Sequence, residues 1–272
     1  MSAYRPYPTD LTDAQWLHLA PLVPDQSPRG RPLKYARRAV INALLYMAHT
    51  GCQWRYLPHE FPPPGAVRYY FDRWTADGTL ERIHTALREQ VRAAAGRDPQ
   101  PSAAIVDSQT VKTGRQPGVR GYDAAKRTPG RKRHLLVDTM GLLLAVVVTA
   151  ANVSDPAGAR LLFSVAQPGL PRLQHIWADS IYGGTLVEWA CAAWGWIVEI
   201  VRHLVPVHEF KLLPRRWVVE RTFGWWSECR RLSKDYEVKP TNSAAWILLA
   251  MCHLMVRRLA PPPKKRKKPP AG

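Results

Sequence analysis

Glu220 stands in the stretch RWVVERTFGWW, Arg216 to Trp226, one carboxylate set among arginines. The spacing predicts a helix, and at 3.6 residues per turn Arg216, Gly224, Ser227 and Arg231 share its face. The opposite side carries Val218, Val219, Thr222, Phe223, Trp225, Trp226 and Cys229, enough apolar surface to bury and fix the helix. A carboxylate held rigidly beside guanidiniums suits a site where a divalent cation and a phosphate meet, the acid binding metal and the arginines gripping phosphate oxygens. An ordinary i,i+4 ion pair has the same spacing. Two further acids tell against that plainer reading.

Ala103 to Val106 is a short apolar run ending in Asp107, and Leu173 to Ala178 is another ending in Asp179. Both read as buried strands that deliver an acid at their ends. Between them, His134 to Asp138 and Leu142 to Thr149 predict a hairpin turning at Thr139-Met140-Gly141. Asp138 is a competing acid whose place beside the tight turn favours a turn role. Asp155-Pro156 reads as a helix start, with Asp155 as the cap and the helix running to about Ala166. A helix through Trp194 and a strand from Trp196 to Val201 follow, and Glu188 and Glu199 read as surface or edge charges. Three acids on separate elements can gather oxygen ligands for two divalent ions about 4 Å apart, the arrangement of two-metal phosphodiester chemistry. Hard carboxylates without paired histidines or cysteines favour magnesium or manganese over zinc.

The segment Lys112 to Arg133 concentrates cations, with Lys112, Arg115, Arg120, Lys126, Arg127, Arg131, Lys132 and Arg133 against the single acid Asp123. Glycines and prolines among them predict a flexible loop that tracks a phosphate backbone. Upstream, four helices are expected, over residues 10–23, 35–46, 66–74 and about 80–95, with Val40, Ile41, Leu44 and Leu45 inward and Gly51 ending the second. Short helices with tight turns fit a helix-turn-helix type module. Arg68, Tyr69 and Arg73 then lie on a DNA-facing helix, or the aromatics are the core of a small bundle, with Tyr69 and Trp74 assigned to core. The proline-broken stretch 96–102 marks a boundary. The expected domains are 1–98 helical and DNA-binding, 99–260 α/β, and 261–272 a disordered basic tail.

The chain of 272 residues is 46% hydrophobic with formal charge +18, the composition of a globular protein attracted to a polyanion. Cys52, Cys191, Cys229 and Cys252 stand far apart, which excludes a zinc spacing or disulfide framework and predicts reduced, buried thiols. The apolar runs are too short to span a bilayer, and the N-terminus lacks the order of a signal peptide, so a cytoplasmic, nucleoid-associated bacterial protein is expected. The tail, with Lys264, Lys265, Arg266, Lys267 and Lys268, reads as a nuclear-import signal effective in a eukaryotic cell, a DNA-tethering arm or an appended tag.

The blocks LTDAQW (11–16), CQWRYLP (52–58), IVDSQTVKT (105–113), GRKRHLLVDTMGLLLAVVVTAANVSD (130–155), ADSIYGG (178–184), VVERTFGWW (218–226) and RRLSKDYE (230–237) come in one order along the chain. In them the chain resembles the DDE transposases of insertion-sequence family five, from Leu11 through Leu259. The resemblance implies a ribonuclease-H-like α/β catalytic domain, a mixed sheet flanked by helices, behind a small all-α domain. It implies Asp107, Asp179 and Glu220 as the catalytic, metal-binding acids, two magnesium or manganese ions, and Arg216 as the arginine of the family's tyrosine-arginine-glutamate-lysine signature. Leu213 and Ser227 replace that signature's tyrosine and lysine, so no particular cleavage pathway is implied; Arg230, Arg231 and Lys234 supply charge nearby. The implied partner is double-stranded DNA, both terminal inverted repeats and target, bound by at least a dimer. A DNA-binding remnant that no longer transposes, and a metal-dependent nuclease without strand transfer, are the competing readings.

Overall fold

A computed structural model describes residues 5–24, 34–201 and 217–262. Arg216, Leu213, the basic stretch 211–216, residues 25–33 and the cationic tail from 263 lie outside the described residues.

The sheet grows from β1 (Ala103–Lys112), which is flanked by β3 (Thr128–Asp138) on one side and β5 (His175–Ala178) on the other. β3 runs antiparallel to β1, β2 (Gly121–Asp123) and β4 (Leu143–Ala150); β5 runs parallel to β1 and to β6 (Ile197–Ile200). This is the mixed, ribonuclease-H-like sheet that the resemblance implies. α5 (Asp155–Ala166) and α6 (Thr185–Trp194) cover one face, where Ala104, Val106, Leu136, Ile176 and Val198 meet Ala159, Leu162, Phe163, Leu186 and Ala190. The other face buries Ile105, Leu135, Val137 and Leu143 against α7 (Trp217–Trp226), α8 (Pro240–Leu259) and the N-terminal helices. Successive strand residues point to opposite faces, so one strand feeds both cores.

The N-terminal helices are α1 (Asp13–Leu19), α2 (Arg37–Thr50), α3 (Pro64–Ala76) and α4 (Thr79–Ala94). α1 starts in a capping box between Thr12 and Gln15, and α2 stops at Gly51, whose φ of 70° suits a residue without a Cβ. Val40, Ile41, Leu44 and Leu45 are all buried, as their spacing predicts. α8 packs with α1 to α4 and with β4, and Trp246, Ile247 and Met251 join the core formed by Leu44, Phe71, Leu87 and Leu135. The last helix of the chain thereby ties the helical region to the sheet.

Four expectations are corrected. β1 runs six residues beyond Val106, so Asp107 lies mid-strand; its polar second half, Ser108 to Lys112, is held by continuous pairing with β3. The second half of the expected cationic loop is β3, because the same pairing draws Gly130 to Arg133 into the sheet. The N-cap of α5 is Ser154, and Asp155 occupies the first turn. The expectation of buried thiols holds for Cys229 and Cys252 and is corrected for the others: Cys52 is half-buried and Cys191, late in α6, is exposed. No described helix is long and apolar enough to cross a membrane.

Candidate active site and nucleic-acid interface

β1 and β5 pair with Ala103 opposite His175, Ala104 opposite Ile176 and Ile105 opposite Trp177. The pairing stops there; continued two places, its register leads to Asp107 on β1 and to Asp179, the residue that follows β5. Both acids are half-buried. Asp107 shares its strand face with Ile105, the side on which α7 packs against β1. Asp179 leads into the turn Ser180–Tyr182 and accepts the Ile181 amide at 2.9 Å through Oδ1, which fixes its carboxylate; Asp107 Oδ1 accepts the Ser108 amide at 2.7 Å.

Glu220 is exposed in the first turn of α7, with Gly224 exposed on the same side and Val218, Val219, Thr222 and Trp226 buried beneath, as the helical spacing predicts; Ser227 is exposed and Cys229 buried just past the helix end. The turn between β3 and β4 seats this helix. Thr222 Oγ1 donates to the Gly141 carbonyl at 2.8 Å and the Arg221 guanidinium to the Met140 carbonyl at 3.0 Å. Arg221 in turn lies 4.3 and 5.0 Å from the ring centroids of Trp217 and Trp225. Arg231 is not on that face, since α7 ends at Trp226.

The carboxylate donors suit a hard divalent cation, and the charges of Asp107 and Asp179 both act on the Tyr182 phenol. Among the described residues, however, no three carboxylate, imidazole or thiol groups converge tightly enough to enclose an ion. Glu220 is on α7, which packs against β1, and belongs to no such cluster among the described residues.

A buried polar layer backs Asp107 from the opposite face. Ser108 Oγ donates to Asp155 Oδ1 at 2.7 Å, and Lys132 Nζ lies 3.0 Å from Asp155 and 3.6 Å from Asp123. Thr110 Oγ1 also donates to Asp123 at 2.6 Å. Tyr182 is buried at the end of this layer; burial first, then the charges of Asp107, Asp155 and Asp179, raise its phenol well above the usual range, so it stays protonated beside the acids. The sequence signal for Tyr182 was its place three residues after Asp179, in ADSIYGG; nothing in the cation run signalled Lys132. Asp138 is fully buried, accepts the Met140 and Leu142 amides at 2.8 Å each, and pairs with Arg92. It serves the turn.

The cations divide sharply. Lys112, Arg115, Arg120, Lys126 and Arg127 are exposed along the β1–β3 connection, and Arg68, Tyr69 and Arg73 are exposed on α3 over buried Trp74, so Tyr69 is not core. Arg131, Lys132, Arg133 and Arg231 are buried and serve internal contacts. Arg131 donates to Asp235 at 3.1 Å and to the carbonyls of Glu237 and Val238 at 2.7 Å each; Arg133 donates to the Leu232 carbonyl at 2.8 Å; Arg231 pairs with Glu237. These arginines staple the segment after α7 onto the sheet, which leaves them no exposed donor surface for a phosphate backbone. Burial of β3 on both of its faces, invisible in a run of basic letters, decides this.

Residues 98–255 match the family model "Transposase DDE domain", and residues 11–84 match "Putative transposase of IS4/5 family". The chain is 31% identical over 158 residues to the "Putative transposase for insertion sequence element IS402" of Burkholderia cepacia, covering 54% of this chain and 72% of that protein. It is 33% identical over 109 residues to the "Insertion element IS402 uncharacterized 16.2 kDa protein" of the same organism, covering 38% of this chain and 72% of that protein. Over 80 residues it is 31% identical to "Uncharacterized protein y4sN" of Sinorhizobium fredii, covering 29% of this chain and 64% of that protein.

Proposed function

Because the chain belongs to the DDE transposase family, we propose that it binds the terminal inverted repeats of its own insertion sequence, cleaves the DNA at the element ends and joins the freed 3′-hydroxyls to target DNA. We place it within insertion-sequence family five by the blocks from LTDAQW to RRLSKDYE. What supports the chemical reading is that Asp107 on β1 and Asp179, just after the β5 that pairs with β1, both act on the Tyr182 phenol, with the helix bearing Glu220 packed on β1.

In this reading Asp107 and Asp179 would hold magnesium or manganese, two ions in our proposal, and Glu220 would complete the acidic set; when bound, the ions would supply activation of the attacking oxygen and stabilisation of the leaving one. The chain's own part is positional. The Asp179 turn and the strand pairing of Asp107 fix two carboxylates, the β3–β4 turn fixes the third, and the Lys132–Asp155–Ser108 layer keeps β1 rigid behind them. In cleavage, water adds to the phosphorus at the element boundary and the bond to the 3′-oxygen breaks, leaving a 3′-hydroxyl. In joining, that hydroxyl adds to a target phosphorus as a target phosphodiester bond breaks. Arg68, Arg73, Lys112, Arg115, Arg120, Lys126 and Arg127 are exposed cations suited to the DNA backbone, and two ends cut in concert call for a dimer or larger assembly.

A second reading, a DNA-binding protein that no longer cuts, draws on the absence of a three-ligand cluster among the described residues. Incubating purified protein with a labelled fragment carrying the element's own end, with magnesium or manganese, separates the two. We expect cleavage at the boundary by wild type and none by Asp107→Asn or Glu220→Gln, with affinity for the fragment retained in both variants. Tight binding with no cleavage by wild type establishes the second reading.

A further inference from the structure

A pocket of about 220 Å³ opens between α4, β4, α8 and the end of α5. Its α4 wall is polar throughout, formed by Glu81, His84, Thr85 and Arg88, successive positions on one helix face. The other walls carry no polar side chain; Leu144, Val146, Leu170 and Leu248 supply most of their surface, and Val165, exposed, stands at the mouth.

The two buried polar groups of this pocket are unsatisfied. His84 and Arg88 are each 2% exposed, and neither His84 Nε2 nor Arg88 Nε has a hydrogen-bond partner. Arg92, one turn further along α4, shows what Arg88 lacks: it pairs with Asp138 and donates to the Asp98 carbonyl at 2.8 Å. Asp138 commits its other oxygen to the Met140 and Leu142 amides, and no carboxylate among the described residues pairs with Arg88. Burial above all lowers the Arg88 guanidinium from its usual range, with Glu89 and Asp138 opposing the shift and Arg92 adding to it. It is still a cation at neutral pH. Glu81, exposed and roughly 10 Å back along the helix, is not among the charges that act on it. A cation taken out of water without a countercharge is costly. Water satisfies an N–H but brings no charge.

We propose that this pocket binds a small organic monocarboxylate, its carboxylate on Arg88 and His84 and its hydrocarbon part against β4, α5 and α8. The volume lies below the roughly 300–1,000 Å³ of drug-sized sites, so the ligand is small. The guanidinium fork matches a carboxylate. His84, which burial holds down at about 3, is neutral and in one tautomer presents an N–H at Nε2. Phosphate and sulfate fit less well, because no polar side chain on the other walls meets their remaining oxygens. The inference goes beyond the DNA chemistry and uses none of the proposed catalytic acids or exposed cations. Its walls come from both the helical region and the sheet, so a bound ligand ties α4 to β4 and should stabilise the fold.

The test is thermal unfolding of the full chain titrated with hexanoate and benzoate, beside hexanamide, benzamide and sulfate at matched ionic strength. Expected is a higher midpoint with a carboxylate, by roughly 5–10 °C at a hundredfold excess over Kd, and no rise with the amides or sulfate. Arg88→Met, which removes an uncompensated cation, should abolish the rise and leave the ligand-free midpoint at or above that of wild type. Ala244→Phe, on α8, fills the pocket while keeping Arg88, and should abolish the rise as well; it decides the matter if Arg88→Met does not fold. No rise with either carboxylate overturns the site. An equal rise with the amides overturns the anion assignment, and an equal rise with sulfate overturns the organic ligand in favour of an inorganic anion. A rise that persists in the variants places the carboxylate elsewhere and overturns the pocket.

Discussion

Lys132 Nζ faces two carboxylates, Asp155 and Asp123, while its side chain is 7% exposed. Removing one partner of a buried pair leaves the other charge desolvated and uncompensated, so Lys132→Met should cost about 3–5 kcal/mol of stability. Equilibrium urea unfolding measures that loss. Under conditions where the variant remains folded, the salt slope of DNA binding should stay at the wild-type value, since Lys132 offers nothing to a phosphate; a slope shallower by about one contact would restore it to the DNA surface. Its neighbours in the GRKR run follow the same logic. Burial holds Arg133 down at about 10, still a cation at neutral pH, and it spends its donors on the Leu232 carbonyl and Gln109. At this scale the three proposed acids come from residue type, strand-end position and the family resemblance. The cations were not legible, because a basic letter in a sequence has no burial; only the burial of β3 on both faces and the partner acids, Asp235 and Asp155, distant in sequence, separate a staple from a contact.

Among the elements, the β3–β4 turn controls α7 most directly. Gly141 has φ 78°, and a Cβ there would stand 2.9 Å from both Thr222 Oγ1 and the Trp225 ring. Gly141→Ala therefore combines a strained backbone with a push against the helix that carries Glu220. We expect a loss of about 1–3 kcal/mol, with a fall in the cleavage rate larger than any change in DNA affinity, read by parallel thermal unfolding, cleavage and binding measurements. Equal loss of binding and cleavage would mean that the turn acts on the whole fold. The helix itself was readable because its apolar positions repeat at 3.6 residues and its polar face is narrow. The hairpin was readable from valine and leucine around a Thr-Met-Gly turn. The polar second half of β1 was not, for Ser108 and Thr110 satisfy their hydroxyls inside a buried layer, where the sequence offers only hydrophilic residues.

At the scale of the whole molecule, one apolar core runs from Leu11 through Phe71 and Leu87 to Leu135, Val219 and Trp246, so the helical region and one sheet face share their burial. The composition break near residue 98 correctly marks a change of secondary structure, but a linear reading does not reveal that α8 returns to fill the space between α1, α4 and β4. Three buried histidines sample this arrangement from different elements. Burial lowers His84 on α4 to about 3, His134 on β3 to about 4 and His253 on α8 to about 3, the last also through His49, whose Nε2 lies 3.0 Å from its Nδ1. Each binds its proton more readily in the unfolded chain, near 6.5, than in the folded one. Their contribution is therefore complete above pH 6.5 and is lost as pH falls from 6.5 towards 4, where the unfolded state takes up as many as three more protons. At about 1.4 kcal/mol per proton per pH unit, the slope approaches roughly 4 kcal/mol per unit near pH 5. If the shared core makes the described regions one cooperative unit, helical circular dichroism and tryptophan fluorescence should report a single midpoint that shifts together through this window. Two separating transitions, with the helical signal moving ahead of the other, would instead place a cooperative boundary between α4 and β1, and would make the burial around α8 too weak to bind the helical region to the acids it is proposed to serve.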